Sequence, residues 1–204
     1  MYILNWGWRK ILLRAFAVIF IIYVALVIYR AFHFWNLEKT NKQVEKIHST
    51  KLTLDDVFGK NLPTDPGAEA DKTVAGIDAN TNGIRDDVEL AIFKEYPDSA
   101  KTRAVLLQYA LALQMEVIQP IVNTETVTEV VREQSRAYLC VGKILSRNDI
   151  EKYIQDGDSL RSFVEIRQFD TEERKKAQLD FLKKVSSHES LDRYCDIDYS
   201  TLSN

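Results

Sequence analysis

The chain has 204 residues, with 27 basic and 30 acidic side chains and a formal charge of −3. Four of the basic residues, Arg9, Lys10, Arg14 and Arg30, stand in the first 35 positions beside no acid, leaving 23 basic against 30 acidic residues in the remainder. A mildly acidic body lacks the basic stripe that nucleic acid requires, and the chain carries no Gly-rich phosphate loop and no zinc-ligand cluster. Few glycines, few prolines and few alternating β-branched runs favour helix. The expected class is mainly α: a single N-terminal transmembrane helix plus a small irregular helical bundle.

Residues 1–10 form a short N-terminal tail. Residues 11–29 are apolar apart from Arg14, and Ala15 to Tyr29 is uncharged. At 1.5 Å per residue, such a run is long enough to cross the hydrocarbon of a bilayer. Arg14 lies near one end and can snorkel, while Trp6, Trp8, Tyr29 and Trp35 flank the run where amphipathic rings favour the interface. The competing reading is a cleavable signal peptide, which needs small residues after its apolar core. Here Tyr29, Arg30, Phe32, His33, Phe34 and Trp35 follow, so an uncleaved signal-anchor is expected. Basic residues are nearly balanced about the run, with Arg9, Lys10 and Arg14 in front and Arg30, Lys39, Lys42 and Lys46 behind. Charge therefore leaves the orientation open. The cysteines and the loop described below tip it toward a cytoplasmic N-terminus. The expected location is single-pass in the inner (plasma) membrane, with the main domain periplasmic or extracellular.

Residues 30–50 turn polar from Asn36 onward, with Leu37, Val44 and Ile47 on one narrow helical face. They read as a stalk helix or, alternatively, a linker. Residues 51–77 read as coil with a helical turn at residues 54–58, and Leu62, Pro63, Pro66 and Gly67 supply loop chemistry. Residues 78–204 are expected to form a helical domain.

That domain opens with Asp78-Ala-Asn80-Thr-Asn82-Gly83-Ile84-Arg85-Asp86-Asp87-Val88-Glu89, which fits D-x-[DN]-x-[DN]-G-x5-E throughout. Asp78, Asn80 and Asn82 place side-chain oxygens at alternate positions, and Gly83 permits a sharp turn. Ile84 offers a backbone carbonyl, Asp86 acts directly or through water, and Glu89 closes the sphere with two oxygens. Hard oxygen donors at this spacing favour calcium. The loop resembles the calcium loops of EF-hand and dockerin-like proteins. The resemblance covers residues 78–89 and the helix after them, a small part of the chain. Pro63, Pro66, Gly67 and Gly76 stand where an entering helix would run, Arg85 replaces the usual apolar residue, and no second loop is present. A solitary loop with one exiting helix is what the resemblance implies, with calcium as cofactor at roughly 0.1–1 mM, an extracytoplasmic range. The alternative is an Asx-rich surface turn at a helix N-terminus, with Asp86 and Asp87 favoured by the helix dipole.

Val88, Ala91, Ile92 and Tyr96 continue at helical spacing until Pro97. Ser99 is placed to cap the next helix, which runs to about Gln119 with a broad apolar face and stops at Pro120. Thr124 is placed to cap a third helix running to Leu145, and Ser146 a short one over residues 148–154 that Gly157 breaks. Residues 159–169 read as short helix or coil. Asp170 and Glu173 resemble a capping box for a last helix over residues 171–185. Cys140 and Cys195 are expected to pair as a disulfide in an oxidising compartment; the alternative is two unrelated buried thiols.

No nucleophile, base and orienting acid converge recognisably on His33, His48 or His188, and His188 with Asp192 reads as a solvated pair. The acidic run Asp149, Glu151, Asp156 and Asp158 reads as a solvated face. A non-enzymatic role is therefore expected. It would be a membrane-anchored extracytoplasmic calcium-binding helical module acting in protein binding or envelope assembly, with the membrane and an unidentified protein as partners and no nucleic acid. The alternative is a cell-envelope enzyme with a structural calcium site.

Overall fold

The computed structural model describes residues 6–186 and 194–203, with side chains from residue 8 onward. Seven α-helices and three 3-10 turns make up its regular structure, and no strand occurs among the described residues. His188 and Asp192 lie outside the described residues. The chain divides into two units, Met1–Lys42 and Gln43–Asn204.

The first unit consists of most of helix α1 (Trp6–Ser49), which is 44 residues long. Every side chain from Trp8 to Lys39 is exposed, including Phe16, Ile19, Phe20, Ile22 and Leu26. A continuous apolar surface of this kind is costly in water and suits hydrocarbon. Among the described helices only this one is long and apolar enough to cross a membrane; a signal sequence meets the same two criteria. Just beyond the apolar run the ring of Phe32 meets that of Trp35 edge-on at 6.0 Å, and the Lys39 ammonium sits 3.6 Å from the Trp35 ring centre. Aromatic rings beside cationic side chains suit a headgroup region.

The second unit is organised around α4 (Ala100–Ile118), on which α2 (Leu54–Val57), α3 (Asp86–Glu95), α5 (Thr124–Val141), α6 (Ile150–Gln168) and α7 (Glu172–Leu182) all pack. Every residue from Arg103 to Glu116 is buried. A helix enclosed on all sides must find partners for its polar groups. Arg103 donates to the carbonyls of Val57, Tyr96 and Pro97. Gln108 donates to Tyr194 O at 2.8 Å and accepts from Asp196 N at 2.9 Å. Gln114 donates to Ala75 O at 2.7 Å and accepts from the Gln168 amide.

The expected disulfide is present: Cys140 of α5 is bonded to Cys195, with their Cα atoms 5.1 Å apart. It holds a C-terminal segment that is also fixed by polar bonds. Asp196 accepts from Arg136 Nη2 at 2.8 Å and from Leu52 N at 3.3 Å, while Leu202 is buried.

Several helix boundaries differ from the sequence expectation. Asn123 caps α5, not Thr124: its backbone is extended and its side chain accepts from Thr126 N at 3.1 Å. Asp149, not Ser146, caps α6, which runs unbroken through Gly157. A mid-helix glycine costs only about 1 kcal/mol relative to alanine. Here the missing Cβ also leaves room for Leu145 and Arg161, which would lie 3.0–3.4 Å from it. Thr171 caps α7, leaving Asp170 to pair with arginines.

Candidate functional site

Residues 78–89 are folded by their own side chains. Asp78 accepts from Asn82 N at 3.1 Å through Oδ1 and from Gly83 N at 2.9 Å through Oδ2. Asn82 Oδ1 accepts from Ile84 N at 2.9 Å, forming an Asx turn. The tight curve places Thr81 at φ 58° and Gly83 at φ 86°, in the left-handed region. Gly83 is required twice over, since a Cβ there would also lie 2.7 Å from Leu111 Cδ1. The base of the loop is closed by Asp86, whose N donates to Ile77 O at 2.9 Å. Its two carboxylate oxygens accept from Ala79 N at 3.0 and 3.2 Å. The Ile84 side chain is fully buried in the core.

Glu89 is drawn back over this loop from the first turn of α3. It is 1% exposed, and its two oxygens accept from the side-chain amides of Asn82 at 3.1 Å and Asn80 at 3.0 Å. The side-chain amides of Asn80 and Asn82 thus converge on Glu89, while Asp78 and Asp86 both turn their carboxylates onto the loop backbone. Among the described residues no ion pair involves Asp78, Asp86 or Glu89. Burial pushes the Glu89 carboxyl up to about 7, against the pull of the two amides, and the charges of Asp56 and Asp86 raise it further. Burial likewise raises Asp78 and Asp86. No group of three or more His, Cys, Asp or Glu side chains among the described residues is disposed to hold a metal ion. The carboxylates of Asp78 and Asp86 accept from backbone amides, and asparagine amides contact Glu89.

No family model, curated protein or solved structure matches this chain.

Three residues that the loop pattern does not include shape the site. Asn61, in the coil after α2, accepts from Asn80 Nδ2 at 3.0 Å through its backbone oxygen. Asp56 adds negative charge felt by Asp78 and Glu89. Arg85, in the loop itself, is fully buried. Its guanidinium pairs with Asp87 at 2.6 Å and Asp170 at 2.9 Å, and donates to the carbonyls of Arg167 and Gln168 at the end of α6. Burial opposes its charge, but Asp87 and Asp170 outweigh burial and hold the guanidinium protonated. Gly76 makes way for it, because a Cβ there would lie 2.3 Å from Arg85 Cδ. Arg174, also fully buried, shares Asp170 at 2.6 Å. It donates to Val74 O at 3.1 Å, Thr73 O at 3.2 Å and Ala70 O. The coil entering the loop and the loop itself are therefore both fastened to the α6–α7 corner. An arginine where such loops usually carry an apolar residue was the signal in the sequence; its partner Asp170 was not.

His33 lies on α1 with its ring 6.4 Å from that of Tyr29, and His48 bonds Glu129 at 2.8 Å. Within the acidic run, Asp149 caps α6 and Asp158 pairs with Arg161 at 2.7 Å.

Proposed function

We propose that this protein is a membrane-anchored, extracytoplasmic calcium-binding helical module, non-enzymatic, that acts in protein binding or envelope assembly. Residues 11–29 anchor it as a single-pass helix, with residues 30–50 as stalk. Residues 78–204 are a small irregular helical bundle opened by an EF-hand-like loop. The observation that carries the calcium reading is Glu89: a buried carboxylate whose bonded partners are two neutral amides rather than a cation. An ion so placed is costly unless paired. The oxygen set of Asp78, Asn80, Asn82, Ile84, Asp86 and Glu89 suits a hard divalent cation. Calcium would take over from the two amides as the partner of Glu89 and neutralise the excess negative charge. That would fix the junction between the coil and α3, so that the domain presents one constant surface to a partner.

Isothermal titration of the full chain in nanodiscs tests this. One calcium site with a dissociation constant of about 0.1–1 mM is expected. Glu89→Gln should weaken it at least about tenfold, the cost of losing a bidentate charged ligand. Absence of calcium binding up to 10 mM, or equal binding by the variant, would overturn the reading.

A further inference from the structure

The central helix α4 carries one acid whose surroundings contradict its charge. Glu116 is 4% exposed, and neither of its carboxylate oxygens makes a hydrogen bond of good geometry. Of the elements packed on α4, α6 presents Glu165, which accepts the Tyr109 hydroxyl, and α7 presents the uncharged amide of Gln178. No charge from α2, α3 or α5 acts on Glu116 among the described residues. Burial, and after it the Glu165 charge, push Glu116 up to about 7, while the Gln178 amide draws it down. A buried carboxylic acid facing a neutral amide and another carboxylate, with no cation acting on it, is far cheaper to enclose when neutral than when ionised.

Gln178 sits on a helix fastened unequally along its length. At the N-terminal end of α7, Thr171 caps the first turn, and Arg174 binds Asp71, Asp170 and three carbonyls. Beyond Gln178 the attachment is apolar: Phe181 is 2% exposed in the core, and Leu182 lines an open groove with Val185, Val131, Tyr138 and Leu139. The helix is thus pinned at one end and held by packing at the other, and Gln178, whose amide acts on Glu116, stands between the two.

We infer that Glu116 is a proton-operated latch on the C-terminal half of α7. As the neutral acid it lets residues 178–182 seat on α4. As the anion it demands water and loosens them, with Arg174 as the fixed end. The sign follows from linkage. A carboxyl raised above its unfolded value of 4.5 binds its proton more tightly in the folded state, so its stabilisation is complete below 4.5 and is lost as pH rises through about 7. The latch does not rest on the calcium reading and is tested without calcium.

Hydrogen exchange read by mass spectrometry on the full chain in nanodiscs, at pH 5.5 and 8.5 and corrected for the intrinsic rate, decides the matter. In the wild type, amides in residues 178–185 should lose about tenfold in protection at the higher pH, while residues 172–176 change little. Glu116→Gln should remove the difference. Equal wild-type protection at both pH values, or a pH response retained in Glu116→Gln, would overturn the latch. If Glu116→Gln does not fold, Glu165→Gln serves instead. Without the neighbouring charge, the wild-type transition should move to lower pH, and an unmoved midpoint would overturn the proposal.

Discussion

Arg85 and Arg174 are fully buried cations, and each is made tolerable by a dense set of oxygens rather than by a single carboxylate. Asp170 serves both, and their charges outweigh burial to hold its carboxyl below the usual range. Removing one member of such a network costs more than the pair itself contributes, because the remaining groups stay buried and unpaired. Arg174→Met should therefore destabilise the folded domain by about 3–5 kcal/mol, read as a lower urea midpoint. Arg174→Lys should recover little of that loss, since an ammonium cannot span Asp71, Asp170 and three carbonyls as the planar guanidinium does. A midpoint unchanged in Arg174→Met would show that the corner is not what secures the coil ahead of the loop.

At the scale of elements, the C-terminal segment depends on long-range ties. Asp196 reaches Arg136 and Leu52 N, Gln108 brackets it from α4, and Ser203 O accepts from Lys101 N at 3.0 Å. The Cys140–Cys195 bond closes a loop with a sequence separation of 55. Cross-links of that span stabilise by about 2–4 kcal/mol, largely by restricting the unfolded chain. Replacing both cysteines by serine should lower unfolding free energy by about that amount. It should also make the segment after residue 193 the first site of limited proteolysis. Stability unchanged in the double variant would contradict the stapling role. The helices differ in a related way. The apolar side chains of α1 from Trp8 to Leu37 are exposed, whereas α4 is enclosed by five other helices, and both helices carry long apolar runs.

Across the whole molecule, what could be read in the sequence was what neighbouring residues encode. Pro97 and Pro120 mark helix ends, Ser99 caps α4 through Thr102 N at 3.1 Å, and the run at residues 78–89 folds into a side-chain-bonded loop. Gly157 misled because packing against Leu145 and Arg161 outweighs its low helix propensity. Asn123 and Thr124 are both competent caps, and only the backbone angle chooses between them. The contributions of Asn61, Asp56 and Asp170 were hidden because their partners lie 19 to 85 positions away or act through charge alone. The same limit hid the burial of Glu116, which no local pattern announces.

Calcium bound by residues 78–89, as proposed, would secure the fold, and thermal unfolding of the full chain reads that directly. With a dissociation constant of 0.1–1 mM, 10 mM calcium should stabilise the folded state by about 1.4–2.7 kcal/mol over an EGTA control. That corresponds to a rise in Tm of about 3–10 °C for a domain of this size. Glu89→Gln should abolish the rise. A wild-type Tm that does not move between EGTA and 10 mM calcium would overturn calcium binding at this loop.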